Sequence, residues 1–255
     1  MRTFRKTGSR RAIATEAASL LWLADAGGAA VATLAEVGDT WLETLLLTPG
    51  TPSHESAADF GRRLAATHAA GADWWGQAPP GLDPDDLATA NLPTPAAAEP
   101  TWRTFGEYYA EGRLRPYIDM AQGLGRGEAK ALHAACDAVA TGKFDSPQPA
   151  LCGEVARIHG DLWSGNVVWA DGRVGTLIDP CANGGHAETD LAELALFGSP
   201  HLADTIAGYE EVSPLADGWR ERVPLHQLHM LLVHVVLFGG GYLTQALDVA
   251  RELSR

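Results

Sequence analysis

Three oxygen-bearing side chains, Asp161, Asn166 and Asp179, stand at intervals that suit phosphoryl transfer. That reaction asks a protein for a carboxylate that orients and deprotonates the attacking hydroxyl. It also asks for hard oxygen ligands to a divalent cation that neutralises the β- and γ-phosphates. Asp161 suits the first role, and Asn166 and Asp179 suit the second. Asp161 lies in His159-Gly160-Asp161-Leu162-Trp163-Ser164-Gly165-Asn166, and Asp179 follows the apolar run 174–178 after a turn at Ala170-Asp171-Gly172. Any one of these residues is an ordinary turn or cap residue. Together, with a carboxylate emerging from an apolar strand, they predict a metal-dependent phosphotransferase.

The step from Asp161 to Asn166 is that of the protein-kinase loop H-R-D-x-x-x-x-N, with Gly160 in place of the arginine. The loop therefore resembles that of aminoglycoside phosphotransferases and choline kinases. The flanks narrow the match: HGDLWSGN, IDP, GGHAETDLAELALFG and PLHQLHMLLVHVVLFGGGY resemble the fructosamine (ketosamine) 3-kinase family, and YYAEGRLRPYIDMA is similar to the linker between its lobes. The resemblance runs from about Lys6 to the C-terminus. It implies an α+β, protein-kinase-like two-lobe fold with a small β-rich lobe and a larger, mainly helical one. It also implies an enzyme that uses ATP and Mg²⁺ to phosphorylate the 3-hydroxyl of a sugar joined to an amine by a ketoamine linkage.

Carried over residue by residue, the resemblance makes Asp161 the base, Asn166 and Asp179 the metal ligands, and His159 and Asp190 supports of the loop. Trp163 is either an aromatic platform for the sugar-amine or a core anchor. His186 and Glu188 either reach substrate or cap the helix that follows them. The alternatives for function are a related phosphotransferase acting on an aminoglycoside, a choline-like alcohol or a free sugar, and a non-catalytic ligand-binding relative.

These groups need elements to hold them. Phe4-Arg5-Lys6 reads as a strand delivering Lys6 to the α- and β-phosphates, with Glu16 on the next helix as its ion-pair partner. Residues 39–47 read as the strand leading to a hinge, where backbone groups around Glu43 to Leu45 would bond adenine. The expected lobes are residues 1–47 for nucleotide and 48–255 for catalysis. The glycine-rich hairpin that precedes the lysine strand in the family is missing from this chain, an expected handicap for positioning ATP.

Helices are expected over residues 56–70, 128–140 and 187–197, and one or two over 101–124 with an interruption at Pro116. Pro224 fits the first turn of a long apolar helix over 225–238. Residues 76–100, rich in Pro, Ala and Asp, read as a surface loop.

A hydrophobic share of 46% with 20% charged residues is that of an ordinary globular protein, and the net charge of −13 excludes the basic footprint of a nucleic-acid binder. Three cysteines without C-x-x-C spacing give neither a disulfide framework nor a zinc site. No apolar stretch is long enough to span a bilayer and the start lacks a secretory pattern, so a cytoplasmic protein, monomer or homodimer, is expected; the small-molecule sugar-amine substrate is what the resemblance implies.

Overall fold

The computed structural model describes residues 2–255. The chain begins with strand β1 (Thr3–Thr7) and helix α1 (Arg10–Asp25), whose first turn is capped by the Ser9 hydroxyl accepting from the Ala12 amide. Strands β2 (Ala30–Val31), β3 (Leu34–Val37) and β4 (Trp41–Leu45) follow. An antiparallel sheet in the order β1-β4-β3 results, with Lys6 opposite Leu42 and Arg5 opposite Glu43. Ile13, Leu20 and Leu23 of α1 are buried, as is Leu42 of β4.

The strap after Leu45 leads to α2 (His54–Ala69), opened by a reciprocal cap between Ser53 and Ser56. The expected surface loop over 76–100 has structure of its own: a 3₁₀ turn at Pro84–Asp86 and a hairpin of β5 (Ala88–Thr89) and β6 (Leu92–Pro93). Its two turn residues, Ala90 and Asn91, both have positive φ, 48° and 68°, as the tight hairpin turn that matches strand twist requires. The segment is tied to α1, because Thr15 Oγ1 donates to the Asp86 carbonyl and accepts from the Ala88 amide.

Then come α3 (Phe105–Tyr108), a π-helical stretch (Tyr109–Leu114) and α4 (Arg115–Met120). They are continuous, so Pro116 opens α4 where a break was expected. Helix α5 (Arg126–Ala140) precedes β7 (Ala156–Ile158), β8 (Val167–Ala170), β9 (Val174–Leu177) and β10 (Asn183–Gly185). Four helices close the chain: α6 (Ala187–Leu196), α7 (Leu202–Val212), α8 (Trp219–Phe238) and α9 (Gly241–Leu253). Helix α8 starts six residues before the expected Leu225, which places Pro224 inside it. There the ring deprives Arg220 of its helical donor, a loss that water covers because Arg220 is exposed.

The main core lies among α3 to α5, α8 and α9, around Tyr109, Leu114, Tyr117, Leu132 and Leu232. A second core joins α1, α2, the β8-β9 hairpin and α6 through Leu23, Phe60, Leu64, Leu162, Leu177 and Leu191. Within this second core one sheet joins the N-terminal segment to the β8-β9 hairpin, since β2 pairs in parallel with β9, Ala30 opposite Thr176. No helix among the described residues is long and apolar enough to cross a membrane, and all three cysteines are free.

Candidate active site

The chemistry-bearing loop follows β7 and is shaped by backbone constraints. Gly160 has φ +77°, and a Cβ there would stand 2.3 Å from the Cys181 carbonyl oxygen and 2.5 Å from Asn183 Nδ2. Only glycine fits that left-handed, crowded position. The next residue, Asp161, is held by Asn166, whose Nδ2 donates to the Asp161 carbonyl at 2.7 Å and to its Oδ2 at 3.2 Å. Burial pushes the Asp161 carboxyl up to about 7 against the Asn166 hydrogen bond, which suits proton exchange near neutrality.

Asp179 lies two residues beyond the end of β9 with φ +53°, a left-handed conformation open to aspartate at some cost. Its Oδ1 is 2.9 Å from Lys6 Nζ, which also reaches Glu16 Oε2 at 2.7 Å. Burial works against the Lys6 ammonium, but Glu16 and Asp179 outweigh it and hold its pKa above the ordinary lysine range.

Beneath the loop lies a floor of buried carboxylates on α6. Asp190, fully buried, accepts the His159 amide at 2.7 Å and the Gly160 amide at 3.0 Å, while His68 Nε2 sits 3.0 Å from its Oδ2. Burial opposes its charge, yet His68 and the His159 amide prevail and hold the carboxyl below its usual range. His68 is oriented in turn by Tyr209 Oη at 2.9 Å. One turn on, Glu193 accepts the Leu162 amide at 2.8 Å, and burial beside Asp190 and Asp161 keeps this carboxyl well above the ordinary range. His159 is kept neutral by burial; its Nε2 donates to the Ile178 carbonyl at 2.9 Å and its Nδ1 receives the Asp161 amide at 3.3 Å.

Two cavities meet here. One, of about 340 Å³, is lined mostly by apolar groups that include Ala32, Leu42, Leu45 to Leu47, Val168 and Ile178. The other, of about 290 Å³, is lined by Asp161, Trp163, Asn166, Cys181 and the β5-β6 turn with Asn91. Lys6, Glu16 and Asp179 border both and so form the wall between them. Trp163 is 39% exposed, folded over Gly165 and edge-on to Phe197 at 6.1 Å, which makes it a rim residue rather than a core anchor.

Three expected site residues, Glu43, His186 and Glu188, line neither cavity. Glu43 pairs its carboxylate with Arg5 Nε at 2.8 Å, and its backbone is flanked by β1 and β3. Leu45 lines the first cavity, but its amide donates to Thr33 and that of Leu46 to Arg2; Leu47 is the first amide without a backbone acceptor among the described residues. The first free amide of this stretch thus lies two residues beyond the expected Leu45.

His186 and Glu188 are buried away from both cavities. His186 caps α6 through its Nδ1, and Glu188 is clasped by Arg222, with Nε to Oε2 at 2.8 Å. Cys181 is buried against the Thr89 hydroxyl, and burial pushes its thiol up to about 11. His68, Tyr209, Glu193 and Asn91 are the site residues that sequence reasoning missed. Only Glu193 left a signal, its three-residue step from Asp190 placing both carboxylates on one helix face.

Comparison with known proteins identifies the family. The sequence pattern of the fructosamine kinase family matches residues 3–255. A Klebsiella aerogenes protein named as a probable ketoamine kinase is 36% identical over 215 residues, which cover 81% of this chain and 68% of the relative. A crystal structure from Thermobifida fusca, assigned as a fructosamine-3-kinase, superposes with a TM-score of 0.84 at 41% identity, over 98% of this chain and 85% of that one. A choline kinase from Streptococcus pneumoniae shares the fold alone, with a TM-score of 0.60 at 14% identity over 99% of this chain and 85% of its own. With its kinase-like α+β architecture and a family match across nearly its whole length, the chain belongs to the fructosamine kinase family.

Proposed function

We propose that this protein transfers the γ-phosphoryl group of ATP to the 3-hydroxyl of a ketosamine, a sugar joined to an amine by a ketoamine linkage. The observation that carries this reading is the shared wall: Lys6, Glu16 and Asp179 separate an apolar slot from a polar one that contains Asp161 and Trp163. The apolar slot suits adenine, with Lys6 directed at the phosphates, and the polar slot suits the sugar. Residues 1–47 serve nucleotide and residues 48–255 catalysis in this proposal.

The donor set fits Mg²⁺. Asp179 offers a carboxylate, and Asn166, whose Nδ2 is engaged by Asp161, keeps its Oδ1 as a hard oxygen donor. Mg²⁺ would supply charge neutralisation on the phosphates. Asp161 accepts the proton of the sugar hydroxyl as its oxygen bonds to the γ-phosphorus and the bond to the departing ADP breaks. Trp163 presents a face on which the sugar can stack while its amine lies over the ring. Because Asp190 and Glu193 hold the loop by its backbone, the Asp161 carboxylate is aimed before substrate arrives.

The test is ADP release from Mg²⁺-ATP with a low-molecular-weight fructosamine, with the phosphorylated carbon assigned by NMR. The expected product is the 3-phosphate, and Asp161→Asn should lower kcat by about 10²- to 10⁴-fold with the fold intact. Turnover on an aminoglycoside or choline but not on the fructosamine would replace the acceptor, and an undiminished Asp161→Asn variant would remove the mechanism.

A further inference from the structure

Helices α2 and α7 cross closely. A Cβ on Gly61 would lie 1.9 Å from the Thr205 carbonyl oxygen, and one on Gly208 would lie 2.0 Å from that of Ala58. Towards one end of this pair is the buried His68 to Tyr209 contact that braces the catalytic loop. At the opposite, exposed end three side chains converge that take no part in that network. His54, the first residue of α2, places Nδ1 2.8 Å from Asp204 Oδ2, and His201 places its own Nδ1 3.4 Å from the same oxygen. The two imidazoles meet edge to face at 4.3 Å, and the three donor atoms lie within 4.8 Å of one another. His201 reaches this point with φ +55°, a conformation that a non-glycine residue adopts at a cost.

Surface histidines ordinarily turn their ring nitrogens to water, whereas here two present the same nitrogen to one carboxylate oxygen. Two imidazoles and one carboxylate suit Zn²⁺ and its late first-row neighbours, which accept nitrogen donors, and not Mg²⁺ or Ca²⁺, which favour oxygen. Tetrahedral bonds of about 2.0–2.1 Å set donor atoms about 3.3 Å apart, so His54 needs to retreat by roughly half an ångström, which its exposed ring allows. The positive ends of both helices oppose a cation, while the net charge of −13 favours one.

We propose that His54, His201 and Asp204 form a surface site for a late first-row divalent cation, with Zn²⁺ as its representative, that clips the N-terminal ends of α2 and α7 together. The site is separate from the phosphotransfer centre and does not depend on its assignment. A ligand that binds only the folded chain stabilises it by mass action, so the cation tightens the helix pair that carries His68 and Tyr209.

The test is titration of the metal-stripped 255-residue chain with ZnCl₂, followed by calorimetry and by thermal unfolding. One equivalent should bind and raise the midpoint by about 2–5 °C. His54→Gln and His201→Asn should each bind at least about tenfold more weakly and lose that shift, with little change in midpoint without metal. Asparagine is chosen at 201 because it tolerates the left-handed backbone. Anomalous diffraction at the zinc edge should place the ion against Asp204. Absence of binding, stoichiometric binding that persists in both variants, or an ion found instead at the buried His186, Glu188 and His226 cluster would each overturn the proposal.

Discussion

The floor of the active site and its rim are built on opposite plans. Below the loop, Asp190 is enclosed, charged and engaged on both oxygens by two amides and a histidine. At the rim, Lys6 and Asp179 are 36% and 43% exposed in their side chains and hold each other through a single ion pair. A buried charge is tolerated only when its hydrogen bonds are complete, and breaking one is costly. A half-exposed pair is worth little to stability, so in the proposed reaction it can exchange partners when phosphates arrive. The floor fixes the loop, and the rim is the part that the proposal assigns to ligands.

Asp190→Ala is the severest challenge to that contrast. It orphans the His159 and Gly160 amides and the His68 ring, and should destabilise the chain by about 3–5 kcal/mol in denaturant titration. Equal stability would show that the floor is not what fixes the loop. Gly160→Ala comes next, with an expected loss of about 1–3 kcal/mol from the left-handed backbone. Its added contact with the Cys181 carbonyl should also displace Asp161, so kcat should fall by about 10²-fold.

His186→Asn sharpens the comparison through pH. Burial drives the His186 pKa down to about 3 from 6.5, so the folded chain binds fewer protons than the unfolded chain between those values. The stability this provides is complete above pH 6.5 and is lost as pH falls towards 3. Asparagine can still cap α6, so the variant should resist acid better, with a stability slope shallower by up to about 1.4 kcal/mol per pH unit. An unchanged slope would mean that other groups set the acid limit.

Lys6→Ala should have the smallest structural effect. Stability should fall by no more than about 1–2 kcal/mol, because the lysine is partly exposed and the buried Glu16 it leaves, already pushed up to about 7 by burial, can take up a proton. Yet kcat/KM for ATP should drop about 10- to 100-fold, the worth of a lost charge-assisted hydrogen bond. A large loss of stability there would erase the distinction between rim and floor.

The loop and the rim were legible because their chemistry dictates residue type at fixed intervals: Asp161 to Asn166, Asp179 after an apolar strand, and the Lys6 to Glu16 pair, which the structure joins at 2.7 Å. The floor was half legible. Asp190 stood in a motif, but its partners His68 and Tyr209 come from 122 residues away in α2 and from α7, a proximity that no local pattern encodes. His186 and Glu188 stayed open between substrate and cap because polar residues beside a motif look the same whether they face ligand, cap a helix as His186 does, or pair internally as Glu188 does with Arg222. The β5-β6 hairpin escaped notice because each of its strands is two residues long, too short for alternation to register. Pro224 misplaced the start of α8 because a proline one turn and a half into a helix differs from one at its first turn only in what precedes it.

The double hold of Asp190 on adjacent amides makes the catalytic loop a rigid extension of α6. Across the cleft from that floor stands the sheet β1-β4-β3. It is moored to the larger lobe at several points. The strap 46–50 is fastened at its far end, where the Gly50 amide bonds the Trp169 carbonyl, and β2 is stitched to β9, with Ala32 donating to Leu177 beyond it. Helix α1, on which the sheet packs, adds a further hold through Thr15 on the β5-β6 segment, so Lys6 is presented to Asp179 from a support fastened on several sides.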